Sequence, residues 1–552
     1  MAPLERDSSR ANLRVSGSSS TLDFGVGESS DSLHFPRSVS AVLERSTDCS
    51  TDLRDRVGTK LICTISPANC STELLTALIH AGMTAVRLDF TIGDRAAYDE
   101  AVKNLAAAVR KTGKMVTTIV DTNGPTSTVL LKEGEQVELT AGSQVLLVAD
   151  PNRAASPEVL PISDPRVVKC VNPGEKIVIG KYLASGSDDA SAVLQVVKQE
   201  GDAVQCTCIE PATLVGKVTC MIVNATRDCI PTMQEADYKE LRRWDEPNLV
   251  DFVSLSCTRS GEDVTELRKF LKGTNYMQEV QIIAKVESKQ GLENFDEILK
   301  EADAIMVSRG DLGSSIPVEK LNPIQKYVLH QCNVSAKPAI ITRVMDTMQQ
   351  WPRPTRAEAT DVANAVLDGV DCILLGAETV RGQFPVEAAR TVLAIAREAE
   401  MVYNNGHHFK VMLKELPSPM PRQMAIASSA VQAANKTGAA LIIAITTLGS
   451  TPRYAAVFRS KVPILSVQLP TLGIDRRTMR WWASGTHKAR QTLLSYGVIP
   501  VLADPATIDA NKSALGVAID FGKSLGLCQE RDNVVVMQRI QNQRVVSMVQ
   551  VD

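Results

Sequence analysis

The sequence predicts an α/β protein centred on a parallel (β/α)₈ barrel, with an inserted β-rich domain and a C-terminal α/β domain. Three observations carry this. Short runs of β-forming residues recur from Lys60 onward, helical stretches follow most of them, and one long connection turns β-like throughout. Runs buried on both faces read as continuous apolar text rather than as alternation, the mark of parallel strands covered by helices.

The runs are Leu61–Ile65, Ala85–Leu88, Met115–Val120, Phe252–Leu255, Gln281–Val286, Ala304–Val307, Ala339–Thr342 and Cys372–Leu375. Eight is the number that closes a barrel, although periodicity alone also allows an open doubly wound sheet. An alanine-rich helix is predicted near Ala96–Lys111, stopping at Gly113, and another over Arg356–Leu367. From about Val129 to Ile230 residues alternate and turn signals appear at Asn172-Pro-Gly and Ala184-Ser-Gly. A folded β insertion accounts for that length better than a structureless loop. After Tyr403 a second α/β pattern follows, with strands at Leu441–Thr446, Pro463–Ser466, Ile499–Leu502 and Val534–Val536. The predicted organisation is a disordered tail over 1–50, a barrel from 51–128 and 231–402, an inserted β-rich domain from 129–230 and a C-terminal domain from 403–552. The tail is rich in Ser, Asp and Arg, with a short helix expected around Val42–Glu44.

The 552 residues suit roughly three or four domains of about 150 residues. Hydrophobic residues at 44% support large cores, and 60 basic against 63 acidic residues form no basic stripe. Neither nucleic acid nor a membrane is therefore expected as a partner. The cysteines form no CxxC pair, which argues against zinc and for core thiols in a reducing compartment. The N-terminus lacks the charged start and apolar run of a secretory signal, and no apolar stretch is long enough to span a bilayer, so a cytoplasmic location is expected.

Chemistry concentrates at the strand ends. In Lys285-Val286-Glu287 the i, i+2 spacing on a strand projects ammonium and carboxylate to one face. Asp311 follows the sixth run across a glycine-bearing turn. Two carboxylates from adjacent strand ends, with room for water and substrate oxygens, suit Mg²⁺. Lys285 beside them would neutralise charge on a phosphoryl group in transfer. The competing reading makes Lys285–Glu287 an ordinary ion pair and Asp311 a helix cap. Three other features carry less. Gly522-Lys-Ser524 lacks the P-loop spacing from Gly516, His407-His408 reads as a solvated loop, and Trp481-Trp482 reads as packing.

Longer motifs decide between the two readings. Thr59-Lys-Leu-Ile-Cys-Thr-Ile-Ser-Pro67, Arg87-Leu-Asp-Phe90, Asp121-Thr-Asn-Gly-Pro125, Lys285-Val-Glu-Ser-Lys-Gln-Gly291, Ile305-Met-Val-Ser-Arg-Gly-Asp-Leu-Gly313 and Pro352-Arg-Pro-Thr-Arg-Ala-Glu358 closely resemble pyruvate kinase. The likeness runs in order from about Thr59 to Glu400 and continues more weakly at Ala489-Arg-Gln491 and Tyr496-Gly-Val498. It implies transfer of a phosphoryl group from phosphoenolpyruvate to ADP in glycolysis, with Mg²⁺ and K⁺, in a homotetramer. By the same resemblance Lys285 and Arg87 contact the phosphoryl group and Glu287 and Asp311 hold Mg²⁺. Gly310, Asp311 and Thr342 hold the substrate, with Thr342 near the proton delivered to the enolate.

The resemblance also marks departures. At the implied K⁺ site Asp121 and Thr122 are in place, but Asp89 stands for Asn and Thr91 for Ser. Ile92 replaces a His, Asn123 a Lys, and Thr126 and Thr128 a Glu and a phosphate-facing Arg. The lid turn Ile179-Gly-Lys-Tyr182 and the stretch Gly216-Lys-Val-Thr-Cys220 are rewritten, leaving Lys181 and Lys217 as cations that could compensate. Ser314-Ser315 replaces Val-Glu and Gly376-Ala377 replaces Ser-Gly. Loss of one such arginine costs about two to three decades of rate. Two functions are therefore carried forward: a working pyruvate kinase with a divergent nucleotide side, and a catalytically weakened or inactive relative serving as a structural or regulatory binding protein. In the C-terminal domain Thr446, Gly449 and Thr451 echo a sugar-phosphate effector turn. Ser450 stands there for a basic residue, and Gln538–Arg544 lacks the glycines of the effector loop, so activation by such a ligand is expected to be weak or absent.

Overall fold

The structure, a computed structural model, describes residues 33, 57–125, 127–131, 136–150, 152–180, 192–215, 218–222, 230–475, 480–503, 513–540 and 543–552, with the backbone alone at 314, 471–475 and 480–484. Of the predicted tail only Leu33 falls within this set, where it forms an isolated β-bridge with Tyr403. The helix expected at Val42–Glu44 lies outside the described residues, as do Thr126, Lys181, Lys217 and the Ala184-Ser-Gly turn.

Eight parallel strands close into a barrel, which rules out the open sheet. In chain order they are Lys60–Ile65, Met83–Asp89, Thr117–Asp121, Phe252–Leu255, Gln281–Val286, Ala304–Val307, Ala339–Thr342 and Cys372–Leu375. Each neighbours the next in sequence, and the first pairs with the eighth through Lys60↔Cys372. Ile62, Ala85, Ile119, Phe252, Ile283 and Met306 fill the interior. Leu494 of the C-terminal domain joins that cluster at the closed end, where its carbonyl accepts from Cys372 Sγ at 3.1 Å. The opposite strand faces lie against helices with well-formed ends. Ser71 caps the helix Thr72–Ala81, which ends at left-handed Gly82. Thr355 and Glu358 form a capping box at the start of Arg356–Leu367. The alanine-rich helix runs Asp99–Thr112 and stops at Gly113, φ +67°, three residues later at its start than the sequence suggested.

The insertion has its own core and a seven-stranded, largely antiparallel sheet. Its edge strand Ser127–Val129 pairs with Val218–Ile222, so the expected boundary between 128 and 129 falls inside a strand. The C-terminal domain carries the parallel strands Leu441–Thr446, Ile464–Gln468, Val498–Leu502 and Asn533–Ile540, with Gln543–Gln550 added antiparallel at the edge. That last strand and the antiparallel pair Thr471–Asp475 and Arg480–Ser484 were not anticipated. Trp481 and Trp482 belong to the second of these, and their side chains lie outside the described atoms.

Two further readings are settled here. His407-His408 is not a solvated loop: it lies in the helix Asn405–Glu415, where His408 Nδ1 meets Tyr403 Oη at 2.8 Å and Nε2 meets Val457 O at 2.9 Å. Burial, reinforced by Arg459, pulls that imidazole down to about 4. Gly522, Lys523 and Ser524 sit on the last turn of the helix Ala514–Ser524, so no phosphate loop forms there. The described cysteines are free thiols, all but Cys170 buried.

Candidate active site

The C-terminal ends of the barrel strands converge on a cavity of about 370 Å³. Arg87, Asp89, Lys285, Glu287, Asp311 and Thr342 line its barrel side, and lid residues including Gly180, Glu210, Thr219 and Met221 line the other. Such a mouth is where parallel barrels place their chemistry, because the loops leaving the strands are free to vary while the strands stay rigid.

Alternation along each strand sets the pattern. Arg87 and Asp89 stand at i, i+2 on the second strand, and Lys285 and Glu287 at i, i+2 from the fifth. Lys285 Nζ lies 3.0 Å from Glu287 Oε1 and 3.1 Å from Asp121 Oδ2 of the third strand. Arg87 Nη1 lies 3.1 Å from that same Asp121 oxygen. Burial opposes the charge on Lys285, but Asp121 and Glu287 outweigh it and hold the ammonium well above its ordinary value. The fifth-strand pair is thus an ion pair and a cavity wall at once.

Glu287 is oriented by Cys257 N–H, which donates to Oε2 at 2.7 Å. Asp311 lies in the first turn of the helix Arg309–Ser315, and Ser308 Oγ donates to its Oδ2 at 2.6 Å. The helix is N-capped at Ser308 rather than at Asp311, so the cap reading of Asp311 fails. Thr342 ends the seventh strand, with Oγ1 3.5 Å from Val307 O.

Asp121, Thr122 and Thr91 stand behind the cavity wall. Asp121 is fully buried and accepts from Ser256 Oγ at 3.2 Å. Thr122 Oγ1 accepts from Ser256 N–H at 3.0 Å. Thr91 closes on Asp89, with its N–H at 2.8 Å and its hydroxyl at 2.6 Å from Oδ1.

Asn123, Thr128 and Ile92, three of the positions that depart from the resemblance, are hydrogen-bonded within the fold. Asn123 donates from N–H and Nδ2 to Asp237 Oδ1, at 2.8 and 3.1 Å. Thr128 N–H donates to Ser163 Oγ at 3.0 Å within the lid sheet. Ile92 N–H donates to Asp89 O at 3.0 Å.

Three groups in or behind the cavity wall escaped the sequence reading. Ser256 bridges Lys285 and Asp121, accepting from Nζ at 3.0 Å. Glu378 and Arg343 line the cavity directly. Each follows a barrel strand, so inspection of every strand end for polar residues would have found them.

Comparison with known proteins identifies the family. The family profile described as pyruvate kinase, barrel domain, matches residues 56–389, and that described as pyruvate kinase, alpha/beta domain, matches 424–551. The rice (Oryza sativa subsp. indica) protein named pyruvate kinase 2, cytosolic, is 42% identical over 499 residues, covering 90% of this chain and 94% of its own. The soybean (Glycine max) pyruvate kinase, cytosolic isozyme, is 37% identical over 490 residues, covering 87% and 93%. Cryptosporidium parvum pyruvate kinase in complex with ADP superposes with a TM-score of 0.77 at 28% identity, covering 90% of this chain and 96% of that one. The chain belongs to the pyruvate kinase family.

Proposed function

We propose that this protein transfers the phosphoryl group of phosphoenolpyruvate to ADP, giving pyruvate and ATP, as a glycolytic enzyme. The observation that carries this reading is the convergence of Lys285, Glu287, Asp311 and Thr342 on one lid-covered cavity at the barrel mouth. The ADP complex of the Cryptosporidium relative supports a nucleotide as the second substrate. The alternative of an inactive structural subunit is not favoured. A barrel kept only as scaffold has no need of a buried lysine held charged between Asp121 and the cavity-lining Glu287.

Lys285 and Arg87 would contact the transferred phosphoryl group. Gly310, Asp311 and Thr342 would hold the enol acid, with Thr342 on the side from which a proton reaches the enolate. The donor set at the mouth fits Mg²⁺: Glu287 and Asp311 supply hard carboxylate oxygens, and the cavity leaves room for substrate oxygens and water. A metal there supplies charge neutralisation to the phosphoryl group in flight. Asp89, Thr91, Asp121 and Thr122 offer only oxygen, which fits K⁺ in character. In this structure, however, Arg87 holds Asp89 and Asp121, so a K⁺ ion would share those carboxylates with a guanidinium.

The names of the rice and soybean relatives support a cytosolic location. No described helix is long and apolar enough to cross a membrane. Assembly as a homotetramer belongs to the same proposal, and light scattering measures it.

A coupled assay of phosphoenolpyruvate and ADP with Mg²⁺ and K⁺ tests the reading. Turnover is expected in the parent and is expected to vanish in Lys285→Met. An inert parent that also gives no heat with Mg²⁺ and phosphoenolpyruvate in calorimetry would leave only the binding-protein alternative.

A further inference from the structure

Arg343 is a cation on the cavity wall to which the roles above assign nothing. It follows Thr342 at the end of the seventh strand, and its backbone is left-handed, φ +59°. Residues with side chains rarely adopt that conformation, and it persists where the surroundings over-determine it. Arg309 is the clamp. Its Nε donates to Thr342 O at 2.9 Å, its Nη2 donates to Arg343 O, and Asp361 fixes the guanidinium at 2.7 Å. One arginine thus holds the turn from which the other projects.

The Arg343 side chain lies against Gly310. A Cβ on Gly310 would stand 2.6 Å from Arg343 Cδ and 2.7 Å from Nη1, so a side chain at 310 would displace the guanidinium. Asp346 Oδ2 steadies the other edge, accepting from Nε at 3.2 Å and from Nη2 at 3.0 Å. The charge is therefore positioned on the wall rather than swinging in solvent.

Its place around the barrel says which end of the substrate it meets. Arg87 and Asp121 belong to the second and third strands and Lys285 to the fifth, whereas Gly310 and Arg343 follow the sixth and seventh. Glu287 follows the fifth strand, and Asp311 shares the segment after the sixth with Gly310. An enol acid with its phosphoryl group at Lys285 and Arg87 presents its other anionic group, the carboxylate, to the arc of Thr342 and Arg343. A guanidinium beside a carboxylate forms charge-assisted hydrogen bonds, stronger than neutral ones.

We propose that Arg343 is a substrate-binding residue that holds the carboxylate of the phosphorylated enol acid, and that Gly310 lacks a side chain to admit it. The inference rests on the phosphoenolpyruvate reading of this cavity.

Arg343→Gly suits the test, because glycine adopts the left-handed backbone without strain. Arg343→Lys keeps the charge. The expected result is a rise of about ten- to hundredfold in KM for phosphoenolpyruvate in the glycine variant, a smaller rise in the lysine variant, and unchanged KM for ADP and Tm. A rise confined to the KM for ADP would assign the arginine to the nucleotide and overturn the proposal, as would two unchanged constants. Calorimetry of phosphoenolpyruvate with Mg²⁺ separates the levels. Heat in the parent that is lost in Arg343→Gly supports the assignment, and equal heat in both defeats it alone. No heat and no turnover in the parent defeats the functional reading as well.

Discussion

Asp89 Oδ2 sits 3.1 Å from Arg87 Nη2, and both side chains are almost fully buried. The pair belongs to a cluster of three carboxylates, Asp89, Asp121 and Glu287, against two cations, Arg87 and Lys285. One negative charge is left over in a poorly solvated place, which favours a further cation. Asp89→Asn removes that excess. The half-saturating K⁺ concentration of turnover is expected to rise about tenfold, equivalent to ~1.4 kcal/mol. A titration with KCl at constant ionic strength measures it, and an unmoved midpoint would separate Asp89 from any cation effect.

Glu378 gives the fold a dependence on pH. Burial, with a smaller push from Asp346, raises its carboxyl from 4.5 to about 7. Oε2 accepts from Gly376 N–H at 2.8 Å, while Oε1 is buried without a hydrogen-bond partner. Between those two pKa values the folded chain holds a proton that the unfolded chain has released, so stability falls as pH rises through that window. The full contribution is present below about 4.5 and gone above about 7, a swing of roughly 3 kcal/mol. Glu378→Gln keeps the acceptor for Gly376 and removes the ionisation. Its Tm is expected to exceed the parent's above pH 7.5 and to converge with it toward pH 5. Parallel curves across that range would place the titration elsewhere.

How much of this was legible depends on where the information lies. Ala339–Thr342 and Cys372–Leu375 have the strand bounds read from sequence, because a strand buried on both faces leaves a short apolar run with sharp ends. Gln543–Gln550 gave no such signal: it is an edge strand with exposed and half-buried side chains, and it opens on Gln-Arg. Two histidines in a row read as polar, and only the tertiary partners Tyr403 and Val457 make a buried His408 tolerable. At the site, i, i+2 alternation put Lys285 and Glu287 on one face, and the longer motifs singled them out from an ordinary ion pair. Neither signal reached Arg343, since its position depends on a left-handed turn held by Arg309 from the neighbouring strand end.

The C-terminal domain bears on regulation. Thr446 Oγ1 accepts from the N–H groups of Leu448 and Gly449, at 3.3 and 3.0 Å, so the hydroxyl that echoes an effector turn is engaged within the turn itself. Asn533–Ile540 and Gln543–Gln550 pair from Asn533↔Gln550 to Ile540↔Gln543, leaving two residues between the strands in place of a long glycine-rich loop. Fructose 1,6-bisphosphate is expected to leave the phosphoenolpyruvate saturation curve unchanged at millimolar concentration. A clear leftward shift in the coupled assay would contradict this.

The joint between barrel and C-terminal domain turns on Asp251, a fully buried carboxylate just before the fourth strand. Arg490 of the helix Thr486–Gln491 reaches it with Nε at 2.8 Å from Oδ2 and Nη2 at 2.9 Å from Oδ1. His487 Nδ1 meets Oδ1 at 2.8 Å, and Thr118 N–H donates to Oδ2 at 2.9 Å. Removing Arg490 leaves a buried charge with its guanidinium gone, which costs about 3–5 kcal/mol at such sites. Arg490→Ala is therefore expected to lower the onset of thermal unfolding and to speed proteolysis between the domains. Asp251→Asn in the same chain should recover part of the loss, because the neutral amide no longer needs the cation. The joint lies at the closed end of the barrel, away from the mouth, so KM for phosphoenolpyruvate should move less than about twofold at temperatures where the variant stays folded. Calorimetry and limited proteolysis of the two single variants and the double decide it. Additive losses would mean that the two residues act separately.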